Sequence, residues 1–156
     1  MRKDMEFCDI LLKVGFFVIL LFLSWKDWKE KRIPDRYAAA VFTIGMARSL
    51  MDPDGIVGAA AGIFVVSLPL FLITVWTNGA FGGGDIKLAA AAGCFMGWRA
   101  CLNGFIYGLM FSAFYALALM AGKKGRKRGK KTFPLGPFLA AGFILVEVLE
   151  KEIYLF

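Results

Sequence analysis

The sequence predicts an all-α, polytopic membrane protein with about six transmembrane helices, and three observations carry that prediction. Apolar residues make up 59% of the 156 residues, and the mean hydropathy is +0.65, values that belong to membrane chains and not to soluble domains. Charged residues, 20% of the total, gather in a few short stretches, whereas a soluble core would leave them scattered. The apolar runs left between those stretches approach the roughly 20 residues that a bilayer crossing requires.

Six runs follow in order, at about 10–25, 37–51, 55–77, 86–98, 100–121 and 133–149, and together they read as a single transmembrane domain, 1–156. Acidic residues (Asp4, Glu6, Asp9) precede the first run and no small-residue cleavage site follows it, so it reads as a retained helix and not as a signal peptide. The second begins after Pro34-Asp35, where an Asp following Pro can cap a helix start. Asp52-Pro53-Asp54-Gly55 is a turn signal before the third, in which Pro69 predicts a kink. The fourth run is short, the fifth is full length, and only "WRA" (98–100) separates them. Gly58/Gly62, Gly93/Gly97 and Gly104/Gly108 are small-xxx-small pairs, read as close helix packing. Lys13 and Glu147 are lone charges at similar depth in the first and last runs; they either pair or snorkel to the outer surface.

The charge pattern orients the chain. Twelve of the 19 basic residues lie in "KDWKEKRIPDR" (26–36) and "KKGRKRGKK" (123–131). If the fourth run crosses the membrane, both clusters fall on the cytoplasmic side, as the positive-inside bias demands, and both termini are extracytoplasmic. The net charge of +7 is therefore attributed to membrane topology and to attraction by anionic lipids, and nucleic acid is not expected as a partner.

Composition also narrows the chemistry. With no histidine and no CxxC among Cys8, Cys94 and Cys101, the usual zinc spacings and histidine-dependent nucleophile systems cannot be written on this chain. No metal or cofactor is expected, which leaves carboxylate, lysine or hydroxyl chemistry. Of the twelve acidic residues, two stand at the predicted cytoplasmic edge of spans: Asp27 in "LFLSWKDWKEKRIPD" and Asp85 in "GAFGGGDIKLAAAAG". Read singly, Asp85 is a helix N-cap and Asp27 an interfacial charge. Read together, two carboxylates face to face share one proton. The ionised member then draws a proton from water while its partner donates to an amide carbonyl. Gly82, Gly83 and Gly84 have no Cβ, so a substrate backbone can approach closely beside such a pair.

Three ordered motifs carry a resemblance. Gly82-Gly83-Gly84-Asp85 followed by "IKL" resembles the GxGD motif of the type IV prepilin peptidase family. "DWKEKRIPD" (27–35) is similar to that family's first-aspartate motif, and "FPLGPFLAAG" (133–142) to its Pro-Phe-Gly-Pro segment, with Leu135 in place of the usual aromatic. The resemblance implies an aspartic endopeptidase in the cell inner membrane that cuts the basic leader of a prepilin or pseudopilin at the cytoplasmic face. It makes Asp27 and Asp85 the catalytic pair and Gly82 and Gly84 the motif glycines, with Gly83 between them. Pro34, Asp35, Lys87, Gly136 and Pro137 are read as support: Lys87, within one helical turn of Asp85, either lowers that aspartate's pKa or marks the interface, and Gly136-Pro137 either admit the last helix to the site or kink it. Larger family members add a cysteine-rich cytoplasmic domain and methylate the new N-terminus; that insert is absent here, as in the short forms similar to Tad/Flp-type and preflagellin peptidases. Other readings of the same residues are a small proton- or cation-coupled carrier using both aspartates, an assembly scaffold using the glycine faces, and a hydrolase built on Ser24 with Lys26 or Lys29.

Overall fold

The computed structural model describes residues 2–30, 35–51, 55–78, 82–121 and 135–153, with side chains from 6 to 149 within those ranges. Five helices account for nearly all of them: α1 (Arg2–Glu30), α2 (Asp35–Met51), α3 (Gly55–Trp76), α4 (Gly83–Ala121) and α5 (Gly136–Ile153). Three of them, over Glu6–Glu30, Gly55–Trp76 and Gly83–Ala121, are long and apolar enough to cross a membrane, and Gly136–Leu149 is a shorter apolar helix. Much of their apolar surface faces outward: Val57, Trp76 and Phe114 are 75%, 90% and 69% exposed. A soluble protein would bury such residues, and a bilayer solvates them.

The predicted fourth and fifth runs form one helical stretch that is broken at Gly97. As a straight helix, 39 residues would reach about 58 Å, nearly twice the thickness of a hydrocarbon core. Gly97 adopts φ 79° and ψ 174°, a backbone region essentially restricted to glycine. Past it the chain folds back. The Cys101 thiol donates to the Ala89 carbonyl at 3.6 Å, whereas twelve residues of continuous helix would hold them about 18 Å apart. The segments 83–96 and 98–121 therefore form a tight helical hairpin. The first helix is longer than the run that predicts it, and α3 continues through Pro69 as one element.

Glycines set the packing. A Cβ on Gly62 would collide with the Gly93 carbonyl, and one on Gly93 with the Gly62 carbonyl, so α3 and the first half of α4 meet backbone to backbone. Gly104 and Gly108 stand in the same relation to α5, against Gly142, Phe143 and Leu139. Around these contacts lies a core of Phe16, Leu20, Leu23, Val41, Leu88, Leu139 and Phe143, all 0% exposed.

Side-chain contacts identify two ends of the bundle. At one, Lys87 at the start of α4 meets Asp35 at the start of α2, and Gly136 at the start of α5 meets Asp27 near the end of α1. At the other, Arg48 near the end of α2 meets Asp9 of α1, Glu147 of α5 and the Phe95 carbonyl beside the Gly97 break. The elements thus run alternately up and down.

Candidate active site

Asp27 lies three residues before the end of α1 and is 5% exposed. A buried carboxylate needs hydrogen-bond donors, and α5 supplies one: the Gly136 N–H donates to Asp27 Oδ2 at 3.1 Å. Leu135 occupies the position before the helix, its carbonyl accepting from the Phe138 and Leu139 N–H groups at 3.1 Å. The Gly136 N–H is therefore one of the free donors of the first turn, and the positive end of the α5 dipole faces Asp27. A Cβ on Gly136 would lie 2.6 Å from Asp27 Oδ2. The glycine is what lets the helix start approach the carboxylate. Aromatic packing holds the same junction, with Trp28 against Tyr115 and Tyr115 against Phe138 at ring separations of 6.1 and 5.2 Å.

Asp85 is the third residue of α4, so the N-cap reading of the sequence shifts by three positions. Gly82 occupies the cap position, its carbonyl accepting from the Asp85 and Ile86 N–H groups at 3.0 and 3.4 Å. The Asp85 carboxylate in turn accepts from the Gly82 N–H, the back-reaching half of a capping box. Half-buried, it lies where the charge of Asp27 bears on it. Each carboxylate thus sits in the positive field of a helix start. Gly82 and Gly83 are exposed, and a Cβ on Gly83 would meet nothing within 4 Å, which leaves the backbone beside Asp85 open to another chain.

The supporting residues divide. Lys87 does not serve Asp85: its ammonium pairs with Asp35 Oδ1 at 2.7 Å, with the side chains 56% and 74% exposed. Lys87 is two residues beyond Asp85 and so points about 200° away around the helix. Asp35 opens α2 and links it to α4, while Pro34 lies outside the described residues, as does the basic cluster 123–131. Pro137 is the second residue of α5, where it forfeits no helical hydrogen bond. The Ser24 hydroxyl donates to Leu20 O at 2.7 Å within its own helix, and Lys26 lies 3.9 Å from Glu30. No group of three or more potential metal ligands occurs among the described residues.

Sequence reasoning missed a charged cluster at the opposite end. Lys13 and Glu147 do pair, at 3.3 Å, but within a ring that also contains Asp9 and Arg48. The sequence signal available for Arg48 was its place at the end of an apolar run, which an interfacial arginine shares.

Comparison with known proteins agrees with the motifs. The model of the type IV leader peptidase family matches residues 14–117. The chain is similar to a prepilin leader peptidase/N-methyltransferase of Bacillus subtilis, at 31% identity over 95% of this chain and 59% of that protein. A protein of the same name from Burkholderia pseudomallei is 30% identical over 85% of this chain and 44% of its own length. Leader peptidase HopD of Escherichia coli is 32% identical over 81% of this chain and 84% of its length. The chain thus spans about half the length of the first two and most of the third. No solved structure matches it.

Proposed function

The chain belongs to the type IV leader peptidase family, and from that premise we propose that it is a prepilin leader peptidase, a membrane aspartyl endopeptidase working through Asp27 and Asp85. The observation that carries the proposal is the convergence, at one end of the bundle, of a buried Asp27 under the first turn of α5 and an Asp85 within the first turn of α4.

In this reading the protein crosses the cell inner membrane six times, with α4 crossing twice about its fold at Gly97. The ends of α1 and α4 and the starts of α2 and α5, which flank both basic clusters, face the cytoplasm, and both termini face outward. The substrate is a prepilin or pseudopilin whose leader meets the membrane on that side. Its backbone lies extended along Gly82-Gly83, since a helical amide is shielded by its own hydrogen bonds. One aspartate, ionised, removes a proton from water as it attacks the scissile carbonyl, and the other, protonated, donates to the carbonyl oxygen. The roles reverse as the tetrahedral intermediate expels the amine. The Gly136 N–H holds Asp27 in place through this exchange, and the Gly82 N–H does the same for Asp85. Asp35 and Lys87 tie α2 to α4 at the rim and take no proton. Neither metal nor cofactor enters the scheme.

Co-expression of the chain with a prepilin tests the activity. The prepilin should shorten by its leader, and mass analysis should place the new N-terminus at the junction of leader and apolar helix. An unchanged prepilin, in a membrane where the chain is present and folded, would refute the proposal.

A further inference from the structure

At the end of the bundle opposite Asp27, four charges close into a ring. Lys13 Nζ lies 3.3 Å from Asp9 Oδ2, and Asp9 Oδ1 accepts from Arg48 Nε at 2.9 Å. Arg48 Nη1 reaches Glu147 Oε1 at 3.3 Å, and that oxygen is also 3.3 Å from Lys13 Nζ. Two cations alternate with two anions, so the ring is neutral, and the Glu147 side chain is 4% exposed. Arg48 does more than close the ring. Its Nη1 donates to the Phe95 carbonyl at 3.1 Å, and its guanidinium lies 4.5 Å over the Phe95 ring, which stacks on Phe16 of α1 at 4.2 Å. Phe95 stands two residues before the Gly97 break, where helical carbonyls lose their donors four residues ahead. Arg48 therefore caps the first half of α4 with a side chain from α2.

Every helix that carries a piece of the candidate site is held here at its other end. Along α1 the 14 residues from Lys13 to Asp27 span about 21 Å, along α5 the 11 from Glu147 to Gly136 about 16 Å, and along α4 the 10 from Phe95 to Asp85 about 15 Å. Helices are stiff over such lengths, so fixing one end axially fixes the other. Between apolar helices in lipid there is no hydrophobic drive, so close packing sets the register there and directional ion pairs add to it. Only Glu147 of the four is buried, the Lys13, Arg48 and Asp9 side chains being 27%, 27% and 38% exposed, and such an ionic network is a poor source of net stability whose best-attested use is to enforce register.

We propose that the Asp9–Lys13–Arg48–Glu147 ring is a register lock that sets the axial positions of α1, α4 and α5, and with them the meeting of Asp27, Asp85 and Gly136, Arg48 being the positioning residue at its centre. The consequence for cleavage rests on the peptidase reading; the lock itself does not.

Two measurements on the full chain in nanodiscs separate the claims. In a background lacking the native cysteines, spin labels at Glu30→Cys and Lys87→Cys report the distance between the site ends of α1 and α4. Arg48→Ala and the isosteric Glu147→Gln should each shift or broaden that distance by about 2 Å or more, beyond one residue's rise along a helix, with Arg48→Lys intermediate. On a prepilin-like peptide, both variants with native cysteines should lose about tenfold or more in kcat with KM changed less than twofold, since misplacement by an ångström costs on the order of a hundredfold. Should Arg48→Ala fail to fold, Glu147→Gln carries both arms. Unchanged distances in folded variants would overturn the lock. If no variant, including the parent, cleaves while the distances shift, the lock stands and the peptidase reading falls.

Discussion

Gly136 shows how a single missing methyl group shapes this site. The amide of that residue is a donor to Asp27 only because nothing stands between the helix start and the carboxylate. Gly136→Ala places a Cβ 2.6 Å from Asp27 Oδ2, and the carboxylate has to move. We expect cleavage by this variant to fall by roughly tenfold to a hundredfold with the fold retained, because about an ångström of displacement is enough to do so; turnover on a prepilin-like peptide and a thermal melt check both halves. Asp35 is the counter-case. Its pair with Lys87 is short but 74% exposed on the Asp35 side, and exposed ion pairs contribute about 0–1 kcal/mol. Asp35→Asn should keep cleavage within about threefold of the parent, and complete loss would move the catalytic assignment to Asp35. The motifs singled out the two aspartates, and both lie at one end of the bundle. The partner of Lys87 was not readable there: its i, i+2 spacing turns it about 200° away from Asp85 and so excludes that contact, but only tertiary packing brings Asp35 to it.

Among the elements, the interruption of α4 decides the architecture. Hydropathy alone marks the stretch as apolar on both sides of "WRA", and it took the glycine at 97, with its positive φ, to turn one long helix into a hairpin. Small-residue spacing pointed correctly to Gly62, Gly93, Gly104 and Gly108 as packing positions. It also marked Gly58, which has open space where its Cβ would be, because spacing cannot tell a face turned to a neighbour from one turned to lipid. The contrast is measurable. Gly93→Ala should lower the melting temperature in detergent through an overpacking cost of about 1–3 kcal/mol, and Gly58→Ala should leave it nearly unchanged, within about 0.5 kcal/mol. Equal effects at the two positions would contradict the packing described.

At the scale of the whole molecule, two groups of charged side chains stand at opposite ends of the bundle. One end holds the exposed Gly82 and Gly83 and both candidate catalytic aspartates, while the opposite end holds a neutral ring of four charges. Alternating runs bring the end of α1 and the start of α4 to one side, and that much was readable from the order of the runs along the chain. The ring was readable only in part: Asp9 and Lys13 are one helical turn apart on α1 and a pair of Lys13 with Glu147 is one of two readings of their placement, but only tertiary packing brings Arg48 of α2 between Asp9 and Glu147. The proposed activity requires Asp27 and Asp85 to act as one metal-free acid pair. The most direct measurement is the rate of leader cleavage by the purified chain in nanodiscs, comparing the parent with Asp27→Asn and Asp85→Asn, each with and without a chelator. Each substitution should lower the rate by about a thousandfold or more, because the pair works as a unit, and the chelator should change nothing. Normal cleavage by either variant, or inactivation of the parent by chelation, would contradict the account.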